Sequence, residues 1–482
     1  MATPEARLRE FLPNARELAL LLAARGIACV LAWHNGFRAL SDDDYARITI
    51  AQRFARAPHF DPSGTSWLPA PFWAYGAAFR AFGHGLGVAR GTAIALSLAA
   101  TVLVFVAARL LGASKLGALL GAALSSLIVP YSAYLGIATV PEVPCAALLL
   151  FGAATLARRE PGLRFAGSLA LLVACLSRYE AWPIAAIFAG FCLFDALGRR
   201  QLELLGCAAL ALSGPLAWLA LGRLEHGHAL FFVARVTSYR RALGGTEASL
   251  LHRLCEFPAM LFGGASELLG FVLLAAVLTR KSKREQLDYR RCALAMLGML
   301  AFLMLGSVRD GVPTHHAGRV LLPIWFFGVV ILGSLSVPLV NAMSGPARAV
   351  TGLAILGWTW LVTPLVLPGY DWAQRASELE AGVAARAVTQ SALAIDTPDY
   401  GYFAVQAGFG TPVGTSVLDD HDPRHARASP FSSAQVLDQA LRDQGAGFVI
   451  VTKAHATLLD QRCSKLWDNS GFALFRCATR QG

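Results

Sequence analysis

Apolar and polar positions form long blocks along most of this chain. Apolar runs of about 20 residues recur from Glu17 to Pro368, and each is long enough to cross a hydrocarbon core of roughly 30 Å. These runs predict about eleven membrane spans. The predicted spans cover residues 17–36, 88–110, 115–135, 142–158, 162–177, 181–196, 201–221, 257–279, 291–308, 320–340 and 347–367.

One apolar segment departs from this pattern. The stretch from Leu68 to Gly87 is apolar, but Pro69, Pro71 and several glycines interrupt it. Such a broken segment favours an interfacial or re-entrant piece, because backbone polar groups that face lipid must be satisfied within the segment. We therefore assign it to the first external loop, residues 37–87.

The pattern changes beyond residue 369, where polarity is mixed and turn signals are frequent. Strand-like runs lie at Ala392–Ile395, Phe448–Val451 and Phe472–Phe475, and a helical pattern lies from Ser433 to Asp443. About 110 residues can bury a modest core. We predict a small external α/β domain over residues 370–482.

Composition supports the membrane interpretation. Hydrophobic residues make up 55% of the 482 residues and charged residues 15%, with a mean hydropathy of +0.51. A soluble protein would have roughly a quarter charged residues. Residues 1–369 are therefore predicted to form a mostly α, polytopic transmembrane domain. The net charge of +11 is attributed to loop arginines that set orientation, so no nucleic-acid partner is expected.

Loop charges predict the orientation. If the N-terminus is cytoplasmic, five short basic loops fall on the cytoplasmic side, as the positive-inside rule requires. Their basic residues are Arg109, Lys115, Arg158, Arg159, Arg164, Arg199, Arg200, Arg280, Lys281, Lys283, Arg284, Arg290, Arg291 and Arg348. The external side then collects the unusual polar groups and the C-terminal domain. The alanine- and arginine-rich composition is typical of a GC-rich bacterial genome, which indicates the inner membrane and a periplasmic domain.

Cysteine positions agree with an external tail. Seven of the nine cysteines precede residue 300, mostly in apolar spans, where cysteine acts as a small hydrophobe. Cys463 and Cys477 lie in the predicted external domain, and an oxidising compartment would permit a disulfide between them. The sequence leaves this pairing open, because disulfide formation depends on geometry.

Three consecutive aspartates, Asp42, Asp43 and Asp44, stand at the outer end of the first span, with Tyr45 directly after them. One explanation is structural, because acidic residues favour the first turn of a helix through the macrodipole. The other is chemical, because carboxylates at a membrane exit can act as a base or hold a cation. Adjacent like charges also raise the proton affinity of one carboxylate.

These residues carry a family resemblance. Asp42-Asp43-x-Tyr45 followed by Ala51 resembles the DDxY…A signature of GT-C glycosyltransferases, polytopic enzymes that use polyprenyl-phosphate sugars. The chain is similar in particular to dolichyl-phosphate-mannose mannosyltransferases and arabinosyltransferases. Further segments that resemble motifs of the superfamily, in matching order, are Ser66-Trp67-Leu68-Pro69, Glu142 within Thr139–Pro144, Ser177–Trp182 and Arg319–Pro323. The resemblance covers about residues 40–340.

The resemblance implies an inverting sugar transfer on the external face. One aspartate would deprotonate or orient a hydroxyl of a glycan, lipid or protein acceptor, which displaces polyprenyl phosphate from the donor sugar. Asp44 stands where the family has a small residue, so the choice among Asp42, Asp43 and Asp44 stays open. Guanidinium groups match phosphate geometry. The candidates for the donor phosphate are Arg178, Arg319, Arg240 and Arg241, and those for substrate contact are Tyr45, Glu142, Glu180, His315 and His316.

Each candidate also has a structural explanation. Arg178 and Glu180 can pair with each other in a tight turn, and Arg319 can anchor at the interface by snorkelling. Glu142, between two prolines, can cap a span through the helix dipole. The pair Arg240–Arg241 can be ordinary loop surface.

A metal is a secondary hypothesis. The three aspartates could hold magnesium or manganese, and some GT-C relatives use a divalent cation whereas others do not. His315-His316 and His226-x-His228 have no carboxylate at a convincing ligand spacing. No metal ligand is therefore assigned, and a substrate contact is preferred for His315 and His316.

Two other functions compete with the transferase. A lipid or solute transporter would predict internal repeats and ionisable groups near span centres, whereas here the ionisable groups cluster at span ends. A non-catalytic scaffold would recruit partners through the external domain. Replacement of Asp43 by asparagine separates these hypotheses, since only a transferase would lose turnover.

Overall fold

The computed structural model describes residues 10–129, 131–242, 249–263, 288–309, 317–366, 374–390, 392–419, 422, 424 and 429–477. Helices make up the described chain up to residue 366, and a small sheet with flanking helices follows. The helices of the first part are α1 Ala15–His34, α2 Asp42–Arg56, α3 Ala70–Phe82, α4 Leu86–Leu110, α5 Lys115–Leu127, α6 Ser132–Leu135, α7 Glu142–Ala154, α8 Pro161–Cys175, α9 Ala181–Arg199, α10 Glu203–Glu225, α11 Phe231–Ala242, α12 Leu250–Gly263, α13 Arg290–Val308, α14 Leu322–Ala342 and α15 Gly345–Val366.

The chain is an integral membrane protein. Within the described ranges, five helical segments are long and apolar enough to cross a membrane: Leu86–Leu110, Ala181–Gly198, Glu203–Glu225, Arg290–Val308 and Ala317–Ala342. Helices α5, α7 and α8 are apolar but shorter. The count of about eleven spans stays a prediction, and most of the predicted span 257–279 lies outside the described residues.

Close backbone contact holds α14 against α5. A Cβ atom on Gly333 would lie 2.5 Å from the Gly117 carbonyl oxygen and from the Gly121 nitrogen. Small residues let helices in lipid approach closely and gain van der Waals contact. This packing matters for the site, because a 3-10 turn at Ala317–Leu321 leads directly into α14 and carries Arg319.

Helices α2 and α3 lie in the region predicted to be the first external loop. Pro69 and Pro71 stand at the start of α3, where proline is tolerated because the first helical N–H groups have no intrahelical partner. The 13 residues of α3 extend about 20 Å at 1.5 Å per residue, which is shorter than a hydrocarbon core. The helix is too short to cross the membrane by itself, and the interfacial or re-entrant placement of residues 68–87 stays a prediction.

The C-terminal part contains a five-stranded mixed sheet in the order β2-β1-β3-β5-β4. Its elements are α16 Ala376–Val388, β1 Leu393–Ile395, α17 Tyr402–Phe409, β2 Thr415–Val417, α18 Ala434–Asp443, β3 Phe448–Thr452, α19 Lys453–Ala456, β4 Ser464–Asp468 and β5 Phe472–Arg476. Strands β1, β2 and β3 are parallel, and β5 pairs antiparallel with β3 and β4.

The predicted strands and the predicted helix of this domain are confirmed. The three strand-like runs correspond to β1, β3 and β5, and Ser433 caps α18 by accepting a hydrogen bond from the Val436 N–H. Cys463 and Cys477 form a disulfide. The proposed boundary at residue 369 lies outside the described residues, so the domain limits stay a prediction.

The C-terminal domain packs on helix α2, in the loop region predicted to be external. Ala404 and Ala407 of α17 join one apolar cluster with Tyr45 and Ile48 of α2. The Gln52 side-chain amide donates to the Ala407 carbonyl at 3.4 Å. Helix α2, which carries the aspartates, is therefore held between the membrane region and the external domain.

Candidate active site

Helix α2 places the three aspartates in its first turn and gives each a different environment. Asp42, Asp43 and Asp44 are its first three residues, preceded by Ser41 with an extended backbone. Consecutive helical side chains point about 100° apart, since 3.6 residues make a turn. Each carboxylate therefore meets different neighbours.

Asp44 is fully buried and its oxygens are hydrogen-bonded. Oδ2 accepts the Leu40 N–H at 2.7 Å, and Oδ1 accepts the Thr139 N–H at 2.6 Å and the Thr139 hydroxyl at 2.9 Å. Arg90 lies 3.5 Å from Oδ1. These contacts fasten the start of α2 to the segment before α7 and leave little room for a substrate.

Asp42 is clamped by Arg375 of the external domain. Arg375 Nε and Nη2 donate to the two carboxylate oxygens of Asp42 at 2.9 and 2.8 Å. Burial opposes the charge of Arg375, yet its hydrogen bonds to Asp42 and Asp399 raise its pKa. Bidentate pairs of this kind are among the stronger hydrogen-bonded ion pairs.

Asp43 is the accessible member of the three. Its side chain is 38% exposed, and Oδ2 lies 3.4 Å from Arg319 Nη2. This long contact does not occupy the carboxylate as fully as the contacts of Asp42 and Asp44 do. Asp43 is therefore the most exposed of the three carboxylates.

Behind Asp43, arginines and glutamates from three parts of the chain meet. Arg178, in the turn before α9, contacts Glu142 at the start of α7 and also Glu180. Arg319 Nε lies 3.2 Å from Glu142 Oε1. Burial opposes the charge of Arg178, but Glu180 and Glu142 together raise its pKa. Arg178 and Arg319, two of the sequence candidates for the donor phosphate, thus lie together, both in contact with Glu142.

Arg47 is a member of this cluster that the sequence analysis missed. It is buried on α2, with its guanidinium 4.5 Å from the Trp67 ring centroid and 5.7 Å from that of Phe72. Burial lowers its pKa, and the charges of Glu142 and Asp43 counteract that effect. Its spacing of four residues from Asp43 places both on one helix face, which is the signal that could have identified it.

Several polar atoms of the cluster are buried and unsatisfied. Among the described residues, Arg47 Nε, Arg319 Nη1 and Glu142 Oε2 have no hydrogen-bond partner. A buried polar group without a partner is costly, by about 1–3 kcal/mol. A narrow cleft at the same place is lined by Glu142, Arg178, Glu180 and Arg319 and, on its apolar side, by Cys145, Ala146, Leu149, Val320 and Pro323, and it has no room for a water molecule. The unmet donors suit an anionic group, but the lining side chains would have to move apart to admit one.

The remaining predicted site residues lie in other settings. Tyr45 is buried, and its hydroxyl donates to the Gln374 carbonyl at 3.4 Å; burial raises its pKa. Arg240 is buried near the end of α11, and Arg241 beside it is exposed. His315 and His316 lie outside the described residues. Tyr45 thus contributes to the attachment of α2.

The described residues contain one group of three side chains with metal-ligand character. It consists of Asp61, Glu225 and His226, whose ligand atoms lie within 4.8 Å of one another. The group does not include the three aspartates of α2. The hypothesis of a divalent cation at those aspartates stays a prediction.

The architecture matches solved membrane transferases. ArnT from Cupriavidus metallidurans bound to undecaprenyl phosphate superimposes with a TM-score of 0.60 and 13% identity over 96% of this chain and 98% of that chain. Its apo state gives 0.59 and 14%, over 95% and 97%. The arabinofuranosyltransferase AftD from Mycobacteria gives 0.52 and 15%, over 98% of this chain and 42% of that chain.

The chain shares its fold with ArnT over nearly the whole of both chains. No protein-family model matches the sequence, and no curated protein matches it significantly. The likeness therefore rests on structure. The shared fold is consistent with the family resemblance of the sequence motifs.

Proposed function

We propose that the protein is a membrane glycosyltransferase that moves a sugar from a polyprenyl-phosphate donor to an acceptor hydroxyl on the external face. The observation that carries this proposal is the partly exposed Asp43 beside buried arginines with unsatisfied donors. A general base next to an anion site is what displacement of a phosphate by a hydroxyl requires. The shared fold with ArnT bound to undecaprenyl phosphate supports the choice of lipid phosphate.

The reaction would be a single displacement. Asp43 takes the proton of the acceptor hydroxyl while the hydroxyl oxygen forms a bond to the anomeric carbon of the donor sugar. The bond from that carbon to the phosphate oxygen breaks, and its electron pair leaves with the polyprenyl phosphate. One displacement inverts the configuration at the anomeric carbon.

Arg319, Arg178 and Arg47 would hold the departing phosphate. Arg319 Nη1 and Arg47 Nε are two of the buried donors that have no hydrogen-bond partner among the described residues, so an incoming phosphate oxygen would satisfy them. Donors aimed at developing charge in an enclosed site contribute strongly to catalysis, because they need no rearrangement during the reaction. The apolar side of the cleft, with Leu149 and Pro323, would face the start of the lipid.

The other aspartates would support Asp43. The buried hydrogen bonds of Asp44 fix the first turn of α2, and the salt bridge of Asp42 to Arg375 reaches the external domain. Neither is assigned as the base. Glu142 would orient Arg178 and Arg319 toward the phosphate through its contacts with both.

We further propose about eleven spans from the apolar runs, a cytoplasmic N-terminus from the loop charges, and the bacterial inner membrane from the alanine- and arginine-rich composition. The external domain would act as a lid or acceptor platform, since α17 packs against α2. The acceptor would be a glycan, lipid or protein hydroxyl.

The test is release of polyprenyl phosphate from a polyprenyl-phosphate sugar by the purified protein in detergent. The wild type should release lipid phosphate in the presence of an acceptor, and Asp43→Asn should reduce the rate about 100- to 10,000-fold. Asp443→Asn, an exposed change on α18, is the control and should match the wild type. If the wild type and the variants all bind the donor but none releases lipid phosphate, a carrier is favoured. If none of them binds the donor, a solute transporter or a scaffold is favoured.

A further inference from the structure

Two residues outside the reaction site, Gln374 and Arg375, connect the external domain with the first turn of α2. The Gln374 side-chain amide donates to the Gly36 carbonyl at 3.0 Å, and the Gln374 carbonyl accepts from the Tyr45 hydroxyl at 3.4 Å. Arg375 bridges both oxygens of Asp42. The contacted residues are Gly36 before the aspartate turn, Asp42 within it and Tyr45 directly after it.

The same guanidinium is also held by the external domain. Arg375 Nη1 donates to Glu378 Oε1 at 3.0 Å, and Nη2 lies 2.9 Å from Asp399 Oδ2. Glu378 is in the first turn of α16, and Asp399 follows β1 at the carboxyl end of the parallel strands. One arginine therefore joins three carboxylates from three separate elements.

The local backbone is constrained in a way that fits this role. Arg375 has φ of +46°, in the left-handed region that residues with side chains rarely adopt. Such conformations persist where surrounding contacts over-determine them, and they cluster at functional sites. A Cβ atom on Gly401 would lie 3.1 Å from Glu378 Oε1, 3.2 Å from Asp399 Oδ1 and 3.3 Å from Arg375 Nη1. Glycine at that position lets the ion network close.

We infer that Gln374 and Arg375 are positioning residues that set the orientation of Asp43 by holding the turn on both sides of it. The inference rests on the proposed function, because it requires Asp43 to be the base. Asp42 serves as the attachment point, since both its oxygens accept from Arg375. The external domain thereby fixes the geometry of the reaction at a distance from the reacting atoms.

Arg375→Gln tests this role in the full chain, with Arg386→Gln as the matched control. Arg386 lies near the other end of α16 and is exposed. Arg375→Gln should lower kcat about 10- to 100-fold, because small misplacements of a catalytic group are costly, while the donor KM changes less than about twofold. Arg375→Lys should recover part of kcat, because it keeps the charge but cannot bridge both oxygens. Arg386→Gln should behave as the wild type.

Hydrogen exchange gives a readout that does not depend on activity. Arg375→Gln should increase exchange across residues 38–46 several-fold without increasing it in the later turns of α2. If the wild type turns over, Asp43→Asn does not, and Arg375→Gln changes neither kcat nor exchange, the positioning role is overturned and the proposed function stands. If the wild type never releases lipid phosphate under any donor tested, the proposed function is overturned and the positioning role falls with it, whatever the exchange result.

Discussion

The two ends of α9 each carry a buried group of arginines and carboxylates, and the two groups differ in how completely they are satisfied. Near the C-terminal end, Asp195 accepts from Arg164 Nη2 at 3.1 Å and from Arg291 Nη2 at 3.0 Å. Arg164 also donates to the Arg158 and Leu156 carbonyls at 2.8 and 3.0 Å. This inner cluster, Arg164, Asp195 and Arg291, is closed.

The outer cluster, formed by Asp43, Arg47, Glu142, Arg178, Glu180 and Arg319, lies before the other end of α9 and remains open. Buried atoms of Arg47, Glu142 and Arg319 have no hydrogen-bond partner among the described residues, and Asp43 is partly exposed. Both clusters are built from arginines and carboxylates. Complete pairing is typical of a structural arginine–carboxylate group, whereas unmet donors beside an accessible carboxylate support the proposed ligand site.

Asp195→Asn should have the largest effect on stability. It leaves two arginines without their shared carboxylate, and breaking a buried ion pair costs about 3–5 kcal/mol. The midpoint of thermal unfolding in detergent should fall clearly. The kcat of the folded fraction should match the wild type, and a large loss of kcat at unchanged stability would remove the distinction between the clusters.

Arg319→Gln should instead affect catalysis more than stability. It removes a donor from the developing phosphate charge, so kcat should fall about 100- to 1,000-fold. Its thermal midpoint should fall less than that of Asp195→Asn, because Glu142 keeps its contact with Arg178 when Arg319 is removed. Steady-state kinetics and thermal unfolding of the same preparation check both parts.

Arg47→Lys should have a smaller effect, confined to donor binding. The guanidinium stacks on Trp67, and lysine keeps the charge but loses the planar stack and a directed donor. The donor KM should rise about tenfold with kcat nearly unchanged, since cation–π contacts of about 0.5–2 kcal/mol are lost. An unchanged KM would place Arg47 outside the phosphate site.

Arg241→Gln should have the smallest effect. This arginine was a sequence candidate for donor binding, but it is exposed on α11. Exposed substitutions away from special features usually change stability by less than about 0.5 kcal/mol. Donor KM and kcat should stay within about twofold of wild type, and a loss comparable with that of Arg319→Gln would extend the site to α11.

The sequence predicted those features that depend on local pattern or on ordered motifs. The strands at Leu393–Ile395 and Phe448–Thr452 follow from short apolar runs between turns. The aspartate turn, Glu142, Arg178 and Arg319 were located by motifs that occur in the expected order. These motifs lie near helix ends, and the fold brings together the starts of α2, α7 and α14.

The sequence could not predict the features that depend on contacts between distant segments. The three aspartates are adjacent and identical, yet Thr139 and Arg375, which lie 95 and 333 residues away from their partners, decide which one is exposed. Arg47 was missed because its importance comes from the nearby Trp67 and Glu142 rather than from its own motif. Such burial differences arise from tertiary packing and leave no periodic signal.

The measurement that tests the central claim most directly is binding of undecaprenyl phosphate to the wild type, Asp43→Asn and Arg319→Gln in detergent. The outer cluster is predicted to bind the lipid phosphate through its arginines, with Asp43 reserved for the proton. Wild type and Asp43→Asn should bind with similar affinity, and Arg319→Gln should bind at least about tenfold more weakly, a loss of about 1.4 kcal/mol. Equal binding by all three proteins, or no binding by the wild type, would contradict the account.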